Sequence, residues 1–183
     1  MANCINDILG DGEDPKEATT PAPSTLFDIR PATKATTEEN KRFHSVTAKV
    51  LYLEKRVRPE CLTAVAFLST RVNECDQDDL SKLKRLLGYL KGTRERGIVF
   101  RIGEHMRVRA YIDAAYGVSH TDCSIMLGDG GPLYNKSTKQ KIATKSSRAS
   151  QAIHLRNFVI AQGYEVGPAV IYQDNLSCMA LMK

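Results

Sequence analysis

The sequence lacks any apolar run that approaches the roughly 18 residues of a membrane-spanning helix. Its first residues also lack the basic and then apolar pattern of a secretory signal peptide. We therefore expect no membrane association and an intracellular protein, in the cytoplasm or the nucleus.

Cysteine pairs with metal-ligand spacing are also absent. The five cysteines stand at positions 4, 61, 75, 123 and 178, and none forms a Cys-x-x-Cys pair or has a histidine cluster beside it. An odd, dispersed set of this kind is typical of reduced thiols, and it argues against a disulfide framework or a zinc site.

Charge balance is lacking along the chain, although the formal net charge of the whole sequence is only +5. Residues 1–40 hold 3 Lys/Arg and 8 Asp/Glu, a net of −5, whereas residues 41–109 hold 16 and 8, a net of +8. A basic block attracts phosphate backbones through counterion release. A solvated, lysine-rich surface has the same composition, so charge alone leaves both interpretations open.

The first 37 residues are predicted to be a disordered leader or linker. Glycine and proline recur there, and the apolar residues follow no regular period. Leu26, Phe27 and Ile29 could still attach this segment to a core.

Helical periodicity begins at Thr37 and predicts a helical unit over residues 38–96. The apolar spacing indicates three helices: one from Thr37 to before Pro59, one over residues 60–71, and one from Asp76 or Asp78 to Gly92.

The apolar period changes near Gly97 from helical spacing to alternation. We predict strands over residues 98–102, 108–112, 123–127 and 170–173, and a helix over residues 146–162. The fold class is therefore α+β: a small helical unit followed by a mixed sheet with helices over residues 97–183.

Six motifs, in order along the chain, resemble the C-terminal part of copia-type retrotransposon Pol polyproteins. They cover residues 18–183 and read as follows: Ala18-Thr-Thr-Pro21 with Leu26; Phe43-His44, Leu51-Tyr52-Leu53 and Arg58-Pro59-Glu60; Leu86-Leu87-Gly88-Tyr89-Leu90-Lys91-Gly92-Thr93; Tyr111-Ile112-Asp113-Ala114-Ala115-Tyr116; Lys136-Ser137-Thr138-Lys139-Gln140 with Ser146-Ser147; and Gln173-Asp174-Asn175-Leu176-Ser177. The resemblance implies the end of a reverse transcriptase followed by a truncated RNase H-like domain.

Enzymes of the RNase H type use clustered carboxylates to hold two Mg²⁺ ions for phosphodiester hydrolysis. The resemblance assigns two of these carboxylates, as metal ligands and remnant catalytic groups, to Asp113 and Asp174. By sequence alone an aspartate that caps a turn is the favoured interpretation of each, and the motif context reverses that preference.

Two further family carboxylates have no counterpart here. The family carries Thr-Glu-Ala-Glu after its Ser-Ser pair, whereas residues 146–162 of this chain hold no Asp or Glu. The late Asp of the family falls beyond Lys183. The other acids that could substitute are Asp122, Asp129 and Glu165, all in predicted loops. We therefore expect Mg²⁺ binding to be weak or lost and the chain to be catalytically inactive.

The polymerase site of the family is absent as well. The nearest string to its aromatic-x-Asp-Asp turn is Cys75-Asp-Gln-Asp-Asp79, which leads directly into a predicted helix. Aspartate at that place is expected from helix capping and the helix dipole.

A basic stretch without any acid spans residues 136–148. It contains Lys136, Lys139, Lys141, Lys145 and Arg148. In the family this stretch lies beside the groove for an RNA/DNA hybrid, so these residues are candidate phosphate contacts without sequence readout.

Three functions remain open from the sequence. The chain is a decayed polyprotein fragment, an active nuclease that recruits a substitute acid, or a basic module that binds nucleic acid or another partner.

Overall fold

The computed structural model describes residues 2–10, 14–101, 103, 106–114, 120–139 and 147–173. The chain divides into two compact units, residues 1–97 and residues 98–183. Each unit has its own apolar core.

The first unit is helical. Its elements are α1 (Ala2–Gly10), α2 (Thr37–Arg56), a 3₁₀ helix (Pro59–Cys61), α3 (Leu62–Ser69) and α4 (Gln77–Gly92). The helices predicted from Thr37 onward are thereby confirmed, because each buries its apolar stripe in one shared core.

Asp76 begins α4 as its N-cap. Its carboxylate accepts a hydrogen bond from the Asp79 backbone N–H at 2.9 Å, and the Asp79 side chain accepts one from the Asp76 backbone N–H at 3.2 Å. This reciprocal pair is a capping box. The capping interpretation of the Asp-rich string is therefore confirmed.

The expected disorder of residues 1–37 is wrong for the described part of that segment. Ile5 and Ile8 of α1 are buried in the core of the first unit, and so is Leu26. The edge of the Phe27 ring meets the Phe67 ring, with centroids 5.7 Å apart. The composition gave the wrong expectation because a few buried apolar residues at irregular spacing are enough to hold this segment against the helices of the first unit.

Gly88 of α4 is where this leader lies against the helix. A Cβ atom at Gly88 would collide with the backbone carbonyl oxygen of Lys16. Gly92 differs, because a Cβ there would meet only the Glu17 side chain, at ordinary contact distances of 3.5 Å and beyond.

We expect Gly88→Ala to destabilise the protein by about 1–3 kcal/mol, because backbone cannot yield as a flexible side chain can. Helix propensity alone predicts the opposite sign, a gain of about 1 kcal/mol. Urea unfolding followed by far-UV circular dichroism measures the difference, with Gly92→Ala as the matched control. A stabilised Gly88→Ala variant would mean that the leader does not pack on α4.

Arg58 is fully buried and connects the 3₁₀ helix of the first unit to the end of α4. Its Nε lies 2.7 Å from Glu60 Oε1, and its Nη1 donates to the Thr93 backbone carbonyl at 3.1 Å. Its Nη2 donates to the Thr93 hydroxyl, and its guanidinium lies 5.4 Å from the centre of the Tyr89 ring. The Tyr89 hydroxyl in turn donates to Glu60 Oε1 at 3.3 Å and accepts from Arg96 at 2.7 Å. The end of α4 is thus fastened to the segment between α2 and α3.

Glu54 is a buried ionisable residue of α2, and its environment is less favourable than that of Arg58. It is 1% exposed, and neither carboxylate oxygen has a hydrogen-bond partner among the described residues. Burial raises the pKa of Glu54 from 4.5 to about 7, against a smaller opposing effect of Lys55. The carboxyl group of Glu54 therefore titrates close to neutral pH.

The second unit is a four-stranded mixed sheet with one described helix. Its strands are β1 (Val108–Ala114), β2 (His120–Leu127), β3 (Pro132–Lys139) and β4 (Val170–Gln173), and the helix is α5 (Ser147–Ala161). The strand order is β3-β2-β1-β4, with β1 antiparallel to β2 and parallel to β4.

Helix α5 packs on one face of this sheet. Val108, Ala110 and Ile125 are buried beneath it, together with Ala152 and Val159 of the helix. The predicted strand over residues 98–102 is absent from its described part, residues 98–101, although Val99 and Arg101 still accept backbone hydrogen bonds from Gly131 and Asp129. Arg101 and Phe100 lie at the surface, so no apolar face holds the segment in a ladder.

The α+β fold class is confirmed by these helices and the mixed sheet. Within the described residues no helix is both long and apolar enough to cross a membrane.

None of the four described cysteines, at positions 4, 61, 75 and 123, forms a disulfide, as the sequence predicted. Burial raises the pKa of the Cys61 thiol to about 12, and the nearby carboxylate of Glu60 adds to the effect. A thiol of this kind does not react at neutral pH.

Candidate functional site

Asp113 stands near the C-terminal end of β1. The parallel register pairs Ile112 with Gln173, so Asp113 and the last residue of β4 lie at the same end of the sheet. Asp174, the second predicted carboxylate, follows Gln173 directly in the chain but lies outside the described residues. The predicted adjacency of the two strands is confirmed.

Asp122 lies directly opposite Asp113 in the β1–β2 ladder. The sequence predicted a loop at this position, and that prediction was wrong, because β2 begins three residues earlier than its apolar residues indicate. Asp122 Oδ1 is buried without a hydrogen-bond partner among the described atoms. Ser137, the neighbour of Asp122 on β3, also has a buried hydroxyl that lacks a described partner.

The other two candidate acids lie elsewhere. Asp129 follows the C-terminal end of β2 and pairs with Arg109 at 2.9 Å. Glu165 precedes the start of β4. Because β2 runs antiparallel to β1 and β4 runs parallel to it, both residues belong to the end of the sheet opposite Asp113. Asp122 is therefore the one of the three that shares an end with Asp113.

Helix α5 supplies no carboxylate. All of its fifteen residues, Ser147–Ala161, are neutral or basic. Among the described residues, no group of three His, Cys, Asp or Glu side chains is close enough together to hold a metal ion. Mg²⁺ prefers several hard oxygen ligands, and the described residues place two carboxylate positions in register, 113 and 122.

The predicted phosphate contacts are only partly described. Lys136 is exposed on β3, which is an edge strand. Lys139 ends the same strand, and Arg148 lies in the first turn of α5. Lys141 and Lys145 lie outside the described residues. The described members therefore all belong to β3 and α5, but the predicted contacts themselves remain predictions.

An apolar cavity of about 520 Å³ opens between α5 and the β2–β3 side of the sheet. Ile125, Leu133, Tyr134, Leu155 and Phe158 form most of its wall. Its described lining contains no carboxylate, so this cavity is distinct from the candidate site around Asp113.

The comparisons with known proteins agree on one origin. The chain is 30% identical over 91% of its length to a retrovirus-related Pol polyprotein from transposon RE1 of Arabidopsis thaliana. It is 28% identical over 90% of its length to the corresponding polyprotein from transposon RE2 of the same plant. A putative transposon Ty5-1 protein of Saccharomyces cerevisiae is 28% identical over 54% of the chain.

Two comparisons give no match. No family model matches the chain, and no solved structure matches it.

The relatives and the motif order define the class: the chain is related to the Pol polyproteins of retrotransposons. Within that class its relatives are of the copia type, so the resemblance read from the sequence is confirmed. The chain spans 12% of the length of the two Arabidopsis polyproteins and 34% of the yeast protein. It therefore corresponds to a segment of a transposon polyprotein.

Two of the family motifs meet in the structure. Arg58 and Glu60 belong to one, and Tyr89 and Thr93 belong to the other, 29 or more residues further along the chain. These residues bond to each other inside the first unit, so their role there is to hold α4 in place. Sequence reasoning treated them as marks of the family and gave them no structural task.

Proposed function

We propose that this chain is a catalytically inactive polyprotein segment that binds an RNA/DNA hybrid through backbone contacts. In this proposal the second unit is an RNase H-like sheet, and Asp113 lies at the end of the sheet that carries the candidate carboxylates. The observation that carries the inactivity is the composition of α5, which has no acid at any of its fifteen positions. Without a carboxylate from that helix, the carboxylates at the end of the sheet where Asp113 lies are too few to hold two Mg²⁺ ions.

Binding is supported by charge. The sequence over residues 136–148 contains five cations and no acid. Contacts of this kind are made to phosphates, so they recognise the shape and backbone of a hybrid helix without reading its bases.

The first test is hydrolysis. The full chain is incubated with Mg²⁺ and an RNA/DNA hybrid whose RNA strand carries a fluorescent label. We expect no cleavage beyond that of a protein-free control, because the carboxylate set is incomplete. RNA fragments that appear with the wild-type chain and disappear with Asp113→Asn would refute the proposed inactivity.

The second test is binding of the same hybrid, measured by fluorescence anisotropy. Affinity should be weak and should fall steeply as salt rises. Lys136→Gln with Lys139→Gln should reduce the salt slope, log Kd against log salt, by about 2, since each lost phosphate contact is worth about 0.9.

Lys16→Gln with Lys34→Gln removes the same charge from exposed positions of the first unit and is the matched control. Binding that salt leaves unchanged, or that depends on base sequence, would contradict the proposal.

One observation favours an active nuclease as the second candidate. Asp122 lies opposite Asp113 in the β1–β2 ladder. Its Oδ1 is buried and has no hydrogen-bond partner among the described atoms, so it is available to coordinate a metal ion. If the hydrolysis test gives fragments, this alternative requires that Asp122→Asn abolish cleavage as completely as Asp113→Asn does.

A further inference from the structure

The apolar cavity of the second unit lies between one face of α5 and the β2–β3 side of the sheet. Helix α5 lines it with residues spaced i, i+3, i+4 and i+7, which lie on one face of a helix: Gln151, His154, Leu155 and Phe158. From Gln151 to Phe158 this face extends about 10 Å along the helix axis. The buried residues Ala152 and Val159 belong to the adjoining face. Helix α5 therefore packs on the sheet with one face and lines the cavity with the next.

A bulge in β3 shapes the opposite wall. Tyr134 pairs with Ile125 and Pro132 pairs with Met126, so Leu133 has no partner in the β2–β3 ladder. A bulge of this kind redirects a side chain, and two consecutive residues of β3, Leu133 and Tyr134, consequently line the same cavity. The cavity is therefore a product of the strand register as well as of the helix.

The size and the lining of the cavity are those of a small-molecule site. Its volume of about 520 Å³ lies within the range of about 300–1,000 Å³ that is typical of ligand pockets. Its described lining contains no Lys, Arg, Asp or Glu. A charged ligand would lose its hydration there without gaining a countercharge. The rings of Tyr134 and Phe158 in the wall favour an aromatic partner, so the cavity suits a neutral aromatic molecule.

Gln151 indicates which polar group that molecule carries. Its Oε1 is buried and has no hydrogen-bond partner among the described atoms. A buried acceptor that lacks a donor costs free energy, and buried polar groups are normally paired. The neighbouring Ser150 already has an interaction partner. A hydroxyl group on the ligand would supply the donor that Gln151 lacks.

We propose that this cavity binds a small, neutral aromatic molecule whose hydroxyl group donates a hydrogen bond to Gln151 Oε1. The apolar part of the molecule packs against the side chains of Leu133, Leu155 and Phe158. The described lining includes none of the proposed phosphate contacts, so this inference does not depend on hybrid binding.

The test uses the full chain and two probes that differ in their donor. One is para-propylphenol, which has a hydroxyl group, and the other is para-propylanisole, in which that oxygen is methylated. Isothermal titration calorimetry measures the dissociation constant of each. We expect the phenol to bind about fivefold more tightly than the anisole, because one net hydrogen bond contributes about this factor.

Two variants test the two parts of the site. Gln151→Leu removes the acceptor but keeps a side chain of similar size, so the two affinities should come within about twofold of each other. Phe158→Ser removes a ring from the wall and should weaken both probes about fivefold. Phe158 is 56% exposed, so its truncation should leave the fold intact. Ile153→Ser is the matched control on α5, because Ile153 is 50% exposed and lies outside the described lining. It should leave both affinities unchanged.

Loss of the preference in Gln151→Leu, together with weaker binding in Phe158→Ser, supports the site. The proposal is overturned if neither probe binds saturably, if the wild-type chain binds both equally, or if Gln151→Leu keeps the preference. Equal binding by Phe158→Ser and Ile153→Ser overturns it as well. Self-association in sedimentation velocity that Phe158→Ser abolishes would also overturn it, because a second copy of the chain would then cover the cavity.

Discussion

Arg58→Met is expected to lower the free energy of unfolding by about 3 kcal/mol, near the lower end of the range for breaking a buried ion pair. The methionine fills much of the volume but leaves the Thr93 carbonyl without its donor and Glu60 without its countercharge. The Glu60 side chain is 31% exposed, so water partly hydrates the orphaned charge and limits the loss. The Tyr89 ring also loses the nearer of the two guanidinium groups over its face, while Arg96 remains 5.9 Å from the ring centre.

Chemical denaturation followed by far-UV circular dichroism measures this loss, because the first unit is mainly helical. Arg56→Met is the matched control: it removes an exposed arginine two residues earlier and should change stability by no more than about 0.5 kcal/mol. The double change Arg58→Met with Glu60→Gln should recover part of the loss, since it removes the unpaired charge. Equal stability of the Arg58→Met and Arg56→Met variants would show that the buried network does not hold the unit together.

Glu54→Gln should stabilise the protein above neutral pH and have little effect in acid. The pKa of Glu54 is higher in the folded chain, about 7, than its ordinary value of 4.5. Its contribution to stability is therefore fully present below about 4.5 and is lost as the pH rises through about 7. The difference corresponds to about 3 kcal/mol at pH 8, at about 1.4 kcal/mol for each pKa unit.

Unfolding free energies of both chains should be compared at pH 4, 6 and 8, because other groups titrate in both and cancel in the difference. Glu38→Gln is the control on the same helix, because it removes the same charge from a side chain that is 86% exposed. A Glu54→Gln difference that stays constant over this pH range would mean that the carboxyl group is hydrated, not buried.

The sequence predicted α2, α3 and α4 of the first unit well, because each has an apolar stripe and a clear start or stop. Thr36 and Asp76 supply the capping side chains, and Pro59 begins the 3₁₀ helix that separates α2 from α3. It failed for the leader, because α1 is held by two isoleucines whose partners lie far away in the sequence. Local periodicity carries no information about such distant partners.

At the candidate site, the sequence found Asp113 and the parallel neighbour of its strand. It missed the position of Asp122 because polar residues begin β2 and hide the strand start. In an antiparallel ladder, backbone hydrogen bonds to the neighbouring strand hold each residue in place. A polar residue can therefore be part of a strand even where the apolar pattern does not indicate one. Only the register shows that Asp122 and Asp113 face each other.

The sequence by itself determined the family, the order of the units and the lack of acid in α5, since all three depend on which residues occur and in what order. The tertiary structure decided which distant residues meet, Arg58 with Thr93 and Lys16 with Gly88, and it set the register that places Asp122 opposite Asp113. It also decided that Glu54 is buried while its neighbours Lys55 and Arg56 are exposed. The physical reason is that burial and pairing depend on how elements pack against each other, and packing is set by contacts between residues far apart in the chain.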